Sequence, residues 1–209
     1  MKIITISREF GSGGRELGRR MAELTGFDYY DSEIIAQVAA GSGKDPQYVE
    51  RMLGRSGAQS YSLRFGRRLS GQPAGRSDLV ALLLEQRKVI EQIPALGRDC
   101  IIVGRDADIL LAEYKPFTLF VCAQMDARIR RCRERAPQGE HYTDNELRRR
   151  IRQVDRGRSQ TREILSGTEW GRRDAYHLTV NTTQWPIEAL APAVAAFAEK
   201  WFAAEGRAL

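Results

Sequence analysis

Ser7-Arg8-Glu9-Phe10-Gly11-Ser12-Gly13-Gly14-Arg15-Glu16 is the stretch that decides the fold. The apolar run Ile3-Ile4-Thr5-Ile6 precedes it and reads as a buried parallel strand. Leu17, Met21 and Leu24 follow at i, i+4 and i+7, the stripe of an amphipathic helix. Strand, glycine-rich turn and helix in that order set backbone N–H groups and a helix N-terminus where they bind phosphate. The sequence therefore predicts a phosphate-binding loop near its start.

The loop departs from the pattern G-x-x-x-x-G-K-[ST], whose lysine and hydroxyl act on phosphates and Mg²⁺. With Gly13 at the second glycine, Arg8 stands at the first, Gly14 at the lysine and Arg15 at the Ser/Thr. The dinucleotide pattern G-x-G-x-x-G also fails, because Gly11 and Gly13 are followed by Glu16. Context carries this reading further than motif does.

A chain of 209 residues predicts one domain with room for a sizeable core. It has no apolar run of the ~18 residues a membrane span needs, and it opens into a strand rather than a signal segment. Cys100, Cys122 and Cys132 are odd in number and lack metal-ligand spacing, so reduced, buried thiols in a cytoplasmic protein are expected. His141 and His177 are the only histidines, which argues against a His/Cys metal site and against a Ser-His-Asp triad. The net charge is +6, and only five of the 33 basic residues are lysines. Arginine binds phosphate bidentately and keeps its charge when desolvated, which fits an anionic substrate, but codon bias gives the same composition.

Along the chain, Phe27–Tyr30 reads as a short strand, and Asp31-Ser32 caps a helix through Ile34, Ile35 and Val38. Gly41-Ser42-Gly43 ends that helix, with Asp45 and Pro46 opening the next. Residues 54–78 have no clean period and read as a flexible loop or a mobile, partly helical insert. A helix resumes from Leu79 to Ile93. Cys100-Ile101-Ile102-Val103 is a second all-apolar strand, ending at Gly104-Arg105-Asp106, where open α/β sheets bind ligands. Thr118–Ala123 is a further strand, leading to an arginine-rich helix from about Asp126. After a break at 136–143, Leu147, Ile151 and Val154 set a helical stripe whose continuation is Arg158 and Arg162. Two arginines on an inward stripe predict a cleft that holds anions, since a buried, unpaired guanidinium is very costly. Asp155 is placed to orient Arg158. Tyr176–Val180 is a last strand, and Ile187, Leu190, Val194, Phe197 and Trp201 give the core stripe of a last helix. The alternation predicts an α/β fold: a parallel sheet with helices on both faces.

In this order ITISREFGSGGRELG, FDYYDSEII, IIVGRDADILL, LFVCA, RIRRCRER, DRGRSQTR, the Trp170-Gly171 pair and YHLTVNT resemble the cytidylate kinase-like family, relatives of bacterial CMP kinase. The resemblance implies a single three-layer P-loop NTPase-like domain with a five-stranded parallel sheet. Its core would be residues 1–40 and 86–209, with an acceptor-binding insert over about 41–85 and an arginine-rich lid over about 130–160. It implies transfer of the ATP γ-phosphoryl group, with Mg²⁺, to CMP or dCMP. By position, Gly11, Ser12, Gly13, Gly14, Arg15 and Glu16 would bind nucleotide. Asp31, Ser32, Arg105, Asp106 and Arg128 would face the acceptor. Arg131, Asp155, Arg158 and Arg162 would act in catalysis. No protein-held metal site is expected.

The departures bear on chemistry. Gly14 replaces the lysine, so Arg8, Arg15 or a lid arginine has to supply its charge. Arg15 removes the hydroxyl that helps hold Mg²⁺. Gln37 stands where CMP kinases carry an arginine for the acceptor phosphate. A kinase-like fold that binds a nucleotide or another phosphorylated ligand as a sensor is the alternative. Nucleic-acid binding ranks lowest, because the basic regions lack interleaved aromatics.

Overall fold

The computed structural model describes residues 1–54, 74–136 and 142–206. Most of the expected insert over 54–78, and residues 137–141 of the break, lie outside the described residues.

Five strands form one parallel sheet: β1 (Ile3–Arg8), β2 (Asp28–Tyr30), β3 (Cys100–Val103), β4 (Phe117–Cys122) and β5 (Leu178–Asn181), in the order β2-β3-β1-β4-β5. β1 is central, with Ile4 beside Ile101 on one side and Phe117 on the other. The chain winds outward to β2, returns through β3 and then crosses to β4. The carboxyl ends of β1 and β3 therefore flank a switch point, where such sheets open a crevice.

Alternation along the strands feeds two cores. Ile4, Ile6, Ile101 and Val103 face α1 (Gly14–Thr25) and α8 (Ile187–Ala204), together with Leu17, Met21 and Phe202. Ile3, Cys100 and Ile102 face the opposite way, onto α2 (Ser32–Ser42), α3 (Pro46–Gly54) and α4 (Ala74–Gln92). With all four residues of β3 buried, the all-apolar run has its cause. The remaining helices are the short α5 (Ala107–Leu110), α6 (Met125–Glu134) and α7 (Asp144–Ser166). α6 and α7 meet through Ile129, Leu147 and Ile151, against Phe10 and Cys132. A capping box, Thr143 with Glu146, starts α7.

Several expectations need correction. Leu24 is 58% exposed, and Gly18 and Ala22 complete the buried face of α1 instead. Small residues let the helix close onto the sheet: a Cβ on Gly18 would lie 3.0 Å from both Ile6 and Val103. α8 is turned in the same way. Ala191, Ala195 and Ala198 face inward with Ile187, Val194 and Phe202, while Phe197 is exposed. α4 begins at Ala74, before the expected Leu79, and Pro94 turns its end into a 3-10 turn at Ile93–Leu96. β5 begins at Leu178. His177 instead stacks on Phe117 and accepts a hydrogen bond from the Thr118 N–H at 3.0 Å. Cys100 is buried, which pushes its thiol up to about 12.

Candidate active site

The chain leaves β1 at Arg8 and reaches α1 at Gly14 through a loop that needs two left-handed glycines, Gly11 at φ +79° and Gly13 at φ +88°. Contact reinforces this. A Cβ on Gly11 would lie 3.0 Å from the Arg128 carbonyl, and one on Gly13 2.6 Å from Ile187. Gly13 caps α1 with no side-chain hydrogen bond, so the N–H groups of the first turn are not capped by a side chain. The positive end of the helix dipole adds to their pull on anions.

Three expected site residues brace this loop from behind. Arg128, expected at the acceptor, is 4% exposed. It donates to the Phe10 carbonyl at 2.7 Å, lies 3.3 Å from Glu9 and pairs closely with Asp155. Asp155 also accepts the Phe10 N–H at 2.8 Å, so its main partners are Arg128 and the loop, with Arg158 at 3.6 Å. Arg131 donates to the Ser12 carbonyl at 3.4 Å, to the Thr182 hydroxyl at 3.1 Å and to the Thr182 carbonyl. The Ser12 carbonyl accepts from the Thr182 hydroxyl as well, at 2.6 Å.

At the other side of the loop, arginines gather. At the carboxyl ends of β1, β2 and β3, Arg8 and Arg15 flank Asp31, Arg8 and Arg105 lie near Asp106, and Arg158 lies near Arg8, Arg105 and Asp155. Asp31, at the cap position of α2, makes no capping hydrogen bond. It is instead ion-paired closely by Arg15 and at 3.7 Å by Arg8. Ser32 is exposed beside it. Gly104, Arg105 and Asp106 all have positive φ, at +74°, +62° and +52°. Such a run is rare for residues with a Cβ, and strain of this kind collects at functional sites. The buried Arg105 Nε has no hydrogen-bond partner. Desolvation lowers its pKa to about 10, with Arg8 adding to the fall. Arg158 is pushed well down by burial and then by Arg8. Asp106 is driven up to about 7 by burial and by Asp108. Arg8 and Arg15 thus share Asp31, Arg158 has Asp155 at 3.6 Å, and Arg105 and Arg8 lie near an Asp106 whose burial disfavours its charge.

α7 divides its two inward arginines. Arg158 donates to the Arg8 carbonyl at 2.7 Å and lies over the Phe10 ring. Arg162 is 2% exposed, 2.6 Å from Asp108, 3.1 Å from the Thr168 hydroxyl and stacked on Tyr176. The expectation that both face an anion-holding cleft needs correction for Arg162. Its guanidinium is taken up by Asp108.

A cavity of about 430 Å³ opens on the α6 side of the loop, lined by Glu16, Arg131, Arg135, Thr183, Trp185 and Pro186. Glu16 is held there by Arg20 at 3.0 Å and by Arg135. Trp185 is 59% exposed. Thr182, Trp185 and Asp108 are site residues that no motif in the sequence singles out.

The donor set does not fit a Mg²⁺ held by the loop. Arg15 occupies the hydroxyl position, and the fully buried Ser12 hydroxyl donates to the Glu9 carbonyl at 2.8 Å. Among the described residues, no three His, Cys, Asp or Glu side chains cluster to bind a metal. No helix among them is long and apolar enough to cross a membrane.

Solved structures share the fold. An uncharacterized protein from Eubacterium ventriosum is 18% identical, with 95% of this chain and 98% of that chain covered and a TM-score of 0.68. Shikimate kinase from Bacteroides thetaiotaomicron is 16% identical (94% and 97% covered, TM-score 0.55), and that from Acinetobacter baumannii, in complex with shikimate, is 13% identical (94% and 92%, TM-score 0.54). At these identities the likeness concerns the fold alone, a three-layer α/β P-loop kinase fold. No curated protein matches the chain. The cytidylate kinase-like family model matches residues 3–184, and the chain belongs to that family.

Proposed function

We propose that the protein is a phosphotransferase that moves the γ-phosphoryl group of ATP to CMP, dCMP or a related small phosphorylated acceptor. The observation that carries this reading is the gathering of Arg8, Arg15, Arg105 and Arg158 at the strand ends, with Arg105 Nε buried and unpartnered and Arg8 only 3.7 Å from a carboxylate that Arg15 holds more closely, next to a loop with uncapped N–H groups. An undercompensated buried cation costs several kcal/mol. A phosphoryl group offsets that cost, and two phosphoryl groups brought together need it. The nucleophile is an acceptor phosphate oxygen, ionised at neutral pH without a general base. It forms the new bond to the γ-phosphorus as the bond to the β-bridging oxygen breaks, and ADP leaves. Catalysis then rests on alignment and on neutralising spread negative charge.

In this reading Arg8, Arg15, Arg105 and Arg158 contact phosphates, with Asp31, Ser32 and Asp106 on the acceptor side. Gly11 to Gly14 bind through backbone N–H groups. Arg128, Arg131 and Asp155 position the loop, and Arg162 fixes the end of α7. α6 and α7 act as the lid, and α2 and α3 lie on the acceptor side. The adenosine lies in the 430 Å³ cavity, against Trp185. Mg²⁺ accompanies ATP from solution.

Arg15 at the hydroxyl position favours a second reading, a nucleotide sensor on the same fold. A screen of the pure protein with ATP, Mg²⁺ and a panel of nucleoside monophosphates separates the two. Formation of a diphosphate with release of ADP supports transfer. ATP binding without turnover of any monophosphate supports the sensor.

A further inference from the structure

Arg8 and Gly14 are two departures from the phosphate-loop pattern, and the structure joins them. Gly14 stands at the lysine position, and a Cβ there would lie 2.7 Å from the Arg8 Cβ, 3.1 Å from its Cγ and 3.3 Å from the Val121 Cβ. The Arg8 stem thus fills the space in which a lysine stem would begin. Its guanidinium continues to Gly104, where a Cβ would come within 1.4 Å of Nη1. Two glycines make the channel, and neither tolerates a side chain while Arg8 lies in it.

The end of that channel lacks a matched partner. The Arg8 side chain is 11% exposed. Among the described residues its one ion-pair partner is Asp31, at 3.7 Å, and Asp31 is held more closely by Arg15. A guanidinium has five N–H donors, and one distant carboxylate leaves most of them without an acceptor. Arg158 fixes the Arg8 backbone through its carbonyl. Arg8 is therefore held rigidly, charged and unsaturated, between the phosphate loop and the ends of β2 and β3.

We infer that Arg8 replaces the phosphate-loop lysine: the cation has moved from the lysine position to the first glycine position, and Gly14 and Gly104 are the spaces that admit it. The inference rests on the phosphate site proposed above and says which residue completes it. The ligand group is a polyphosphate end, gripped by a guanidinium fork rather than a point charge. Because the guanidinium lies beside Asp31 and Gly104, it spans the boundary between donor and acceptor.

The test is calorimetric titration of the whole protein with inorganic tripolyphosphate and with ATP. Variants are Arg8→Gln, Arg8→Lys, Gly14→Lys and the double variant Arg8→Gly with Gly14→Lys. Arg8→Gln should weaken tripolyphosphate binding about 10- to 100-fold, the loss of a charge-assisted contact, and Arg8→Lys should lose less. Gly14→Lys alone should weaken binding and lower the melting temperature, since its stem collides with Arg8. The double variant should bind more tightly than either Gly14→Lys or Arg8→Gln, a coupling that independent sites do not show. Folded Arg8→Gln protein with native affinity overturns the inference, and so does a double variant no better than the two single ones. Circular dichroism and melting curves certify the fold. A native protein that binds neither ligand overturns the inference and the phosphate site together. If the expected pattern holds but no acceptor is phosphorylated, the transferase reading fails and the role of Arg8 stands.

Discussion

Arg158 and Arg162 lie one turn apart on the same face of α7, and the molecule treats them oppositely. Arg162 is saturated: Asp108, Thr168 and the Tyr176 ring take up its guanidinium. Arg158 has a backbone carbonyl, a carboxylate at 3.6 Å and three more arginines nearby, and its pKa is pushed down where that of Arg162 is raised. Burial works against charge at both. At Arg162 the charge and hydrogen bond of Asp108, with Tyr176 and Asp106 beside them, together outweigh it. At Arg158 the neighbouring Arg8 and Arg105 deepen it. Position on a helix face thus identifies an inward arginine, but partners decide whether it holds the fold or waits for an anion.

Substitution separates the two most sharply. Arg158→Ala should lower turnover by about 10³-fold or more, the scale of an arginine finger, and leave the unfolding free energy nearly unchanged. Steady-state rates and urea melts measured on the same sample check this. A loss of ATP affinity equal to the loss of turnover would make Arg158 only a binding contact. Arg162→Ala should do the reverse, costing about 3–5 kcal/mol of stability because Asp108 is left buried and unpaired. Replacing Arg162 and Asp108 together by apolar residues should recover much of that loss in a double-mutant cycle.

The acidic side of the cluster gives a pH test. Asp106 has its folded pKa raised to about 7, so the folded protein binds more protons than the unfolded chain between the ordinary carboxylate range and about pH 7. Stability from this group is highest below that window and falls as pH rises through it, by at most about 1.4 kcal/mol per pH unit. Asp106→Asn, which tolerates the left-handed backbone, should flatten the melting-temperature profile over that range. The smallest expected effect is at the cavity. Trp185→Ala should weaken ATP about tenfold, the value of one base stacked on an aromatic ring, and leave tripolyphosphate affinity unchanged. Equal losses for both ligands would remove the base from that cavity.

Much of this arrangement was legible in the sequence. The apolar runs of β1 and β3 place the sheet centre, and the turn after each marks its carboxyl edge. The stripe Leu147, Ile151, Arg158, Arg162 gives the inner face of α7. What stayed hidden depends on distant partners. Asp108 and Arg162 are 54 residues apart, and nothing local in either tells one saturated arginine from one open arginine. Arg128 and Asp155 hold the loop through Phe10 across 118 and 145 residues, a contact that neither helix shows locally. The left-handed Arg105 and Asp106 gave no warning, since only Gly104 in that turn is a residue that favours such a backbone. Arg8 was legible as a departure from the loop pattern, but its contact with Gly14 and Gly104 needed the fold.

The central claim is that donor and acceptor phosphates meet across the arginine cluster between the loop and the ends of β2 and β3. Its most direct test is the affinity of the whole protein for a bisubstrate ligand, adenosine and cytidine joined through one polyphosphate chain, measured by calorimetry beside ATP and CMP. The account predicts binding tighter than ATP by about 10²-fold or more, since one ligand then fills two adjoining sites. Affinity equal to that of ATP alone would contradict it.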